Sequence, residues 1–189
     1  IVAARCGARS VLATDLPEAT LQNTRHNLAL NGLEPPSAAA RVLDWADAAG
    51  WPGEQDVLVG SDLVYAREAV APLLEVVSTL LSQSGVFLYV APETNRLGEE
   101  EFLERMVSER GFAHECRPVP ARYLDNCVQG WDDEGFGHLF PELATRRYTL
   151  HRFVKGVPGQ SLFVEVPGYL MACRAAVVRG DDPCSRGSV

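Results

Sequence analysis

Asp56-Val57-Leu58-Val59-Gly60-Ser61-Asp62-Leu63-Val64-Tyr65 is the stretch that decides the fold. A short apolar run closed by glycine is the pattern of a buried strand, and the helical spacing that follows, from about Arg67 to Leu81, makes the whole a strand-turn-helix unit. In an open α/β sheet the carboxyl ends of the strands are where ligands and chemistry collect. Asp62 and Tyr65 stand at such an end.

Working outward, the same unit recurs. Ser10 to Ala13 is a short apolar run ending at Thr14-Asp15, and Pro17 to Leu30 carries helical spacing before Asn31-Gly32 stops it. Beyond Glu34-Pro35-Pro36-Ser37, the segment Ala40 to Leu43 is a second strand, ending at Asp44-Trp45. Downstream of the deciding stretch come a strand over Gly85 to Ala91, a helix over Glu99 to Arg110 and a strand over Phe112 to Val119. The helix opens on three glutamates that oppose the positive end of its dipole. Tyr148, Leu150 and Phe153 alternate with polar residues in a last strand over Arg146 to Phe153. Strand and helix in alternation predict an α/β fold with a mostly parallel sheet. Two final strands without a helix between them predict an antiparallel terminal hairpin, with an irregular insert over Tyr123 to Leu143 covering the site. Ile1 to Ala8 has the form of a helix end with Gly7 as its left-handed stop, so the chain is expected to begin mid-domain. Residues 156–189 are expected to form a partly disordered carboxy-terminal extension to a domain spanning 1–155.

Bulk composition excludes more than it identifies. With 17 basic against 25 acidic residues among 189, the formal charge of −8 disfavours nonspecific attraction to a phosphate backbone, and no nucleic-acid partner is expected. The five cysteines are scattered, with no Cys-x-x-Cys, and the histidines fall in separate segments without metal-ligand spacing. Neither a disulfide framework nor a metal site is indicated. Reduced thiols fit a cytoplasmic location. The greasiest segment, Ala69 to Leu81, is interrupted by Pro72 and Glu75 and is too short for a membrane span.

Three acidic positions, each at a strand's end, carry the candidate chemistry. Asp15 can accept hydrogen bonds from a pair of ribose hydroxyls, or it can cap the helix after it. Asp44-Trp45 can serve as a turn and a packing residue, or as an acceptor and an aromatic wall for a flat π system. Asp62 and Tyr65 can be a helix cap and lid packing, or a carboxylate and an aromatic that grip an amine.

The order acid, then Asp-aromatic, then Ser-Asp-x-x-Tyr resembles the Asp-x-x-Tyr signature of the seven-stranded, S-adenosylmethionine-dependent protein-lysine methyltransferases of the family 16 group, over about residues 1 to 155. That resemblance implies a Rossmann-like class I methyltransferase, a three-layer sandwich, here lacking its first strand and glycine-rich loop and so truncated at the amino end. It further implies S-adenosylmethionine as cofactor, with Asp15 on the ribose, Asp44 and Trp45 at the adenine, and Ser61 also in the cofactor site. Asp62 and Tyr65 become the catalytic pair, acting on a lysine of a protein substrate by a monomeric enzyme. The demand on that pair is concrete. A free lysine with a pKa near 10.4 is only about 0.04% neutral at pH 7, a deficit of about 4.6 kcal/mol, so the site must orient the ammonium and let its proton leave. Two other functions fit the same residues: a small-molecule methyltransferase of this fold, and an inactive fragment that serves as an interaction module.

Overall fold

The computed structural model describes residues 1–93, 96–124, 132–139, 141 and 147–155. The chain divides after Trp51 into two compact units.

In the first unit, helix α1 (Val2–Arg5) ends as expected, with Gly7 in the left-handed region at φ 92°. Strand β1 (Val11–Asp15), helix α2 (Glu18–Leu30) and strand β2 (Ala38–Val42) follow, and the two strands pair in parallel from Val11↔Ala38 to Asp15↔Val42. Leu21 and Leu28, seven residues and so nearly two helical turns apart, are the buried residues of α2, which packs on both strands. The ladder begins where the Val11 amide reaches Ser37 O. It therefore places β2 two residues earlier than the apolar run Ala40 to Leu43 suggests, and it draws Asp15 into β1.

The second unit is a four-stranded sheet of order β3-β4-β6-β5, made of β3 (Gln55–Ser61), β4 (Leu81–Pro92), β5 (Phe112–Pro118) and β6 (Tyr148–Lys155). Strands β3 and β4 are parallel neighbours, while β6 runs antiparallel between β4 and β5, the expected terminal hairpin. Helix α3 (Val70–Leu80), entered through a 3-10 turn at Arg67–Ala69, packs beside α4 (Glu99–Ser108). The insert, entered through a 3-10 turn at Ala121–Tyr123, is not wholly irregular: it holds the short helix α5 (Asp133–Leu139). Asp132 caps this helix, accepting the Gly135 amide at 2.7 Å. Residues 156–189 and most of the insert's remainder lie outside the described residues. Among those described, no helix is long and apolar enough to cross a membrane.

An aromatic cluster forms the core of this unit. Register places Phe87, Tyr89, Phe153 and His151 on one face of the sheet, where Phe87 stacks at 5.9 Å from both Tyr89 and Phe153. Phe102 of α4 presents its edge to all three rings. Geometries of this kind add about 0.5–1.5 kcal/mol per pair to the burial of the rings themselves.

The β5–β6 ladder brings two histidines together that are 37 residues apart: His114 Nε2 and His151 Nδ1 are 3.0 Å from each other. Sequence spacing gave no sign of this pair, because antiparallel pairing, not local periodicity, creates it. His151 is buried, and desolvation, with His114 beside it, lowers its pKa to about 4. His114 is lowered too, chiefly by desolvation.

Two consequences are measurable. Phe102→Ala removes a fully buried ring and should cost about 3–5 kcal/mol in urea denaturation. Stability should also fall as pH drops from about 6.5 to about 4, because in that window the unfolded chain protonates a His151 that the folded chain keeps neutral. His151→Phe should flatten that slope.

Candidate functional site

Strand β3 ends in a geometry that only a few side chains tolerate. Gly60 is buried, and a Cβ there would lie 2.4 Å from a Leu63 methyl, so a larger residue would require that side chain to move. Two residues later Asp62 adopts φ 48°, the one non-glycine positive φ among the described residues. Aspartate enters this region at a cost that most residues exceed. The Asp62 amide donates to Val90 O at 2.9 Å, which ties the turn to β4.

The Asp62 side chain caps no helix. The 3-10 turn that opens at Arg67 has Ala66 as its N-cap, and α3 has Ala69, neither with a side-chain cap. Its Oδ2 instead accepts a hydrogen bond from Arg96 Nη2 at 2.5 Å, and each side chain is about one third exposed (38% and 33%). The other halves of the two groups, Asp62 Oδ1 and Arg96 Nε, are buried without a hydrogen-bond partner. Tyr89 Oη is orphaned in the same way: it lies close to the Leu63 and Val64 backbone, but no group meets it in hydrogen-bond geometry. Burial, with the Glu99 and Asp62 charges nearby, pushes this phenol up to about 12. Glu99, at the first turn of α4, is likewise raised, by desolvation and then by the like charge of Asp62, against the opposing pull of Arg96. Three of the four orphaned buried side-chain atoms among the described residues thus belong to one cluster built from the β3 turn, β4 and the segment before α4.

Tyr65 stands apart from that cluster, with 69% of its surface exposed. Arg96 was offered by the sequence as a candidate without being paired with Asp62. It belongs to Pro92-Glu93-Thr94-Asn95-Arg96, a segment that by sequence serves equally as a turn with a helix cap or as the lining of a channel. Its partnership with Asp62 spans 34 residues. Thr94 and Asn95 lie outside the described residues.

Close packing holds the frame around the cluster. Gly98, at φ 98°, lets the start of α4 approach Arg67, whose Cα would be 3.0 Å from an added Cβ. Arg67 Nε then reaches Glu101 at 2.7 Å, and Arg110 reaches Glu75 at 2.7 Å near the other end of α4.

In the first unit Asp15 is exposed, and its Oδ1 accepts the Leu16 amide at 2.8 Å. It is not a helix cap, since Pro17 holds the N-cap of α2 without a side-chain bond. Asp44 closes an Asx turn on the Ala46 amide at 2.8 Å, while Trp51 Nε1 donates to Asp44 O at 2.7 Å. Trp45 is half-buried, and Ser61, in the second unit, is exposed at the last position of β3. The Leu43 amide donates to Asp15 O at 3.0 Å, so the ends of β1 and β2 stay side by side. A cavity of about 390 Å³ is lined by Asp44, Val42, Arg25, Arg41 and others, with neither Asp15 nor Trp45 on its wall. Its charges are already engaged: Arg25 pairs with Glu18, and Arg41 donates to Gly50 O. That cavity is not a shared cleft of the two aspartates. Among the described residues no cluster of three or more histidine, cysteine or acidic side chains can hold a metal ion.

A family profile described as lysine methyltransferase matches residues 1–109. No curated protein matches. Among solved structures the fold is similar to a TehB-like SAM-dependent methyltransferase from Corynebacterium glutamicum, with 20% identity, a TM-score of 0.50 and coverage of 78% of this chain and 68% of that one. A methyltransferase from Pyrococcus furiosus matches at 18% identity and a TM-score of 0.50, over 78% and 64% of the two chains. The geranyl diphosphate C-methyltransferase from Streptomyces coelicolor, in complex with Mg2+, geranyl diphosphate and S-adenosyl-L-homocysteine, gives 13%, 0.51, 77% and 65%. The chain spans about two thirds of these proteins' length. The profile covers more than half of the 189 residues, and the chain belongs to the lysine methyltransferase family. The fold is that of the Rossmann-like class I methyltransferases, which take S-adenosylmethionine as methyl donor.

The backbone strain at Asp62 can be separated from its carboxylate. Asp62→Ala and Asp62→Gly both lose the ion pair, but only glycine is at ease at φ 48°, so Asp62→Gly should be the more stable by about 1 kcal/mol in chemical denaturation.

Proposed function

We propose that this member of the lysine methyltransferase family transfers a methyl group from S-adenosylmethionine to a lysine side chain of a protein substrate, with Asp62 as the acceptor-docking carboxylate. One observation carries the reading. Asp62 is held in a left-handed turn at a strand's carboxyl end, caps nothing, and keeps a buried oxygen with no partner. A strained residue with an unsatisfied polar atom is what a positioned ligand group looks like before its ligand arrives.

The residues present fit the adenosine part of the donor. Asp15 and Asp44 are exposed carboxylates following or ending adjacent parallel strands, with the half-buried Trp45 next in sequence. Asp15 would accept from the ribose hydroxyls and Asp44 from adenine's amino group, with Trp45 as an aromatic wall. When bound, S-adenosylmethionine supplies an electrophilic methyl group on a sulfonium. This chain's own task is then to bind, orient and deprotonate the acceptor amine. Asp62 docks the ammonium, and the exposed Tyr65 offers its ring face or hydroxyl to the arriving side chain. A soluble, monomeric enzyme of the cytoplasm suits the composition.

Radiolabelled methyl transfer from S-adenosylmethionine to a whole-cell lysate, with the labelled site mapped by mass spectrometry, tests the proposal. Label on a lysine of a protein supports it; label confined to the small-molecule fraction points instead to a small-molecule acceptor, and no cofactor binding points to an interaction module. Asp15→Ala should weaken donor binding by about 1–3 kcal/mol in calorimetry, the scale of a charged hydrogen bond. Asp62→Asn should leave that affinity nearly intact while cutting transfer, because its carboxylate serves the acceptor and not the adenosine.

A further inference from the structure

Docking an ammonium on a carboxylate creates a difficulty. An isolated anion stabilises the charged acceptor, whereas only the neutral amine has a lone pair for the methyl carbon. The acceptor nitrogen must shed one proton to bulk water before its lone pair can bond to that carbon, whose bond to the sulfonium sulfur would break with the electron pair left on sulfur. A bare aspartate would orient the amine and, by the same interaction, hold it in the unreactive form.

In this structure the aspartate is not bare. Arg96 donates to Oδ2 at 2.5 Å, leaving Oδ1 as the one oxygen of the pair without a partner. An arginine guanidinium beside a carboxylate offsets its charge, so the Asp62–Arg96 ion pair adds no net charge while Oδ1 still offers a lone pair. The other titratable and charged groups facing it are Tyr89 from β4 and Glu99 from α4, with Glu101 on the same helix as Glu99. Glu101 is engaged by Arg67 and Arg105, and Tyr89 is a neutral phenol in the physiological range. Glu99 is the one further anion, and Arg96 lies between the two acids in its electrostatic effect, favouring ionisation of Glu99 where Asp62 opposes it.

We propose that Arg96 is a positioning residue that neutralises Asp62, so that the carboxylate orients the acceptor amine without retaining the amine's proton. This rests on the reading of Asp62 as the acceptor-docking group. Arg96 does not touch the reacting atoms; it acts through Asp62. Removing its charge turns the site into a better ammonium trap and a poorer methylation site.

The test is the pH dependence of methyl transfer to poly-L-lysine, with S-adenosylmethionine saturating, for the wild-type chain, Arg96→Gln, Arg96→Lys and Asp62→Asn. The limb of kcat reports ionisation in the bound complex. In Arg96→Gln that limb should move up by about one pH unit, giving about a tenfold lower kcat at pH 7, a deficit that closes as pH rises, together with a lower KM. Arg96→Lys, which keeps a cation, should retain the wild-type limb. A merely structural role predicts something else: kcat lowered equally at every pH, KM raised, and circular dichroism altered, and any of these with an unmoved limb overturns the proposal. The parent reading fails separately. Full transfer by Asp62→Asn, or no transfer to poly-L-lysine by the wild-type chain, removes the acceptor-docking role and this inference with it, whereas loss in Asp62→Asn with no limb shift in Arg96→Gln rejects the role of Arg96 alone.

Discussion

The aromatic face of β4 is the constraint on which the second unit depends. Phe87 and Tyr89 sit on the one strand that pairs with β3 on one side and β6 on the other, and their rings carry Phe102 of α4. Because interiors are close-packed, the position of Phe102 fixes where α4 begins, and that start fixes Gly98 against Arg67. Arg96, two residues upstream, is thereby delivered to Asp62. A hydrophobic contact thus sets the geometry of an ion pair, although neither charged residue takes part in the ring cluster.

Tyr89 joins the two layers of this arrangement. Its ring belongs to the core, while its hydroxyl reaches the turn that holds Asp62 and stops there without a hydrogen-bond partner. Leaving a buried hydroxyl unpaired costs about 1–3 kcal/mol, and a left-handed aspartate adds to this. Such local costs persist only where the surrounding structure over-determines them, and here the surroundings are the aromatic cluster below and the β3–β4 ladder behind. The polar cluster is built on the packed core beneath it. Preorganisation of this kind is what a site needs in order to orient an amine that it must not bind too tightly.

Much of the architecture was legible in local patterns. Alternating strand and helix spacing located every strand among the described residues to within a few residues, and the absence of helical periodicity between the last two of them implied the antiparallel hairpin that β5 and β6 form. Gly7 and Gly32 marked helix ends because only a residue without a Cβ turns left-handed there freely. Boundaries were less legible. Where β2 begins is decided by the hydrogen bond from Val11 to Ser37, and where β1 ends by pairing out to Val42, neither of which is a property of the strand's own residues. The helix in the insert was hidden by its length, since seven residues are too few for a periodic signal.

The sequence by itself determined the α/β class, the order of its elements, the placing of Asp15, Asp44 and Asp62 at strand ends, and the family to which that order belongs. These follow from period, punctuation and spacing, which are properties of neighbours in the chain. Tertiary structure alone decided which of those acids has a partner and which groups share a space. Asp62 meets Arg96 across 34 residues, and His114 meets His151 across 37, because strand register and helix packing bring distant segments together. The carboxylate of Asp62 could be read from the chain as a cap or as a catalytic group; its left-handed backbone, its arginine and its one unpartnered oxygen exist only once β3, β4 and α4 have packed.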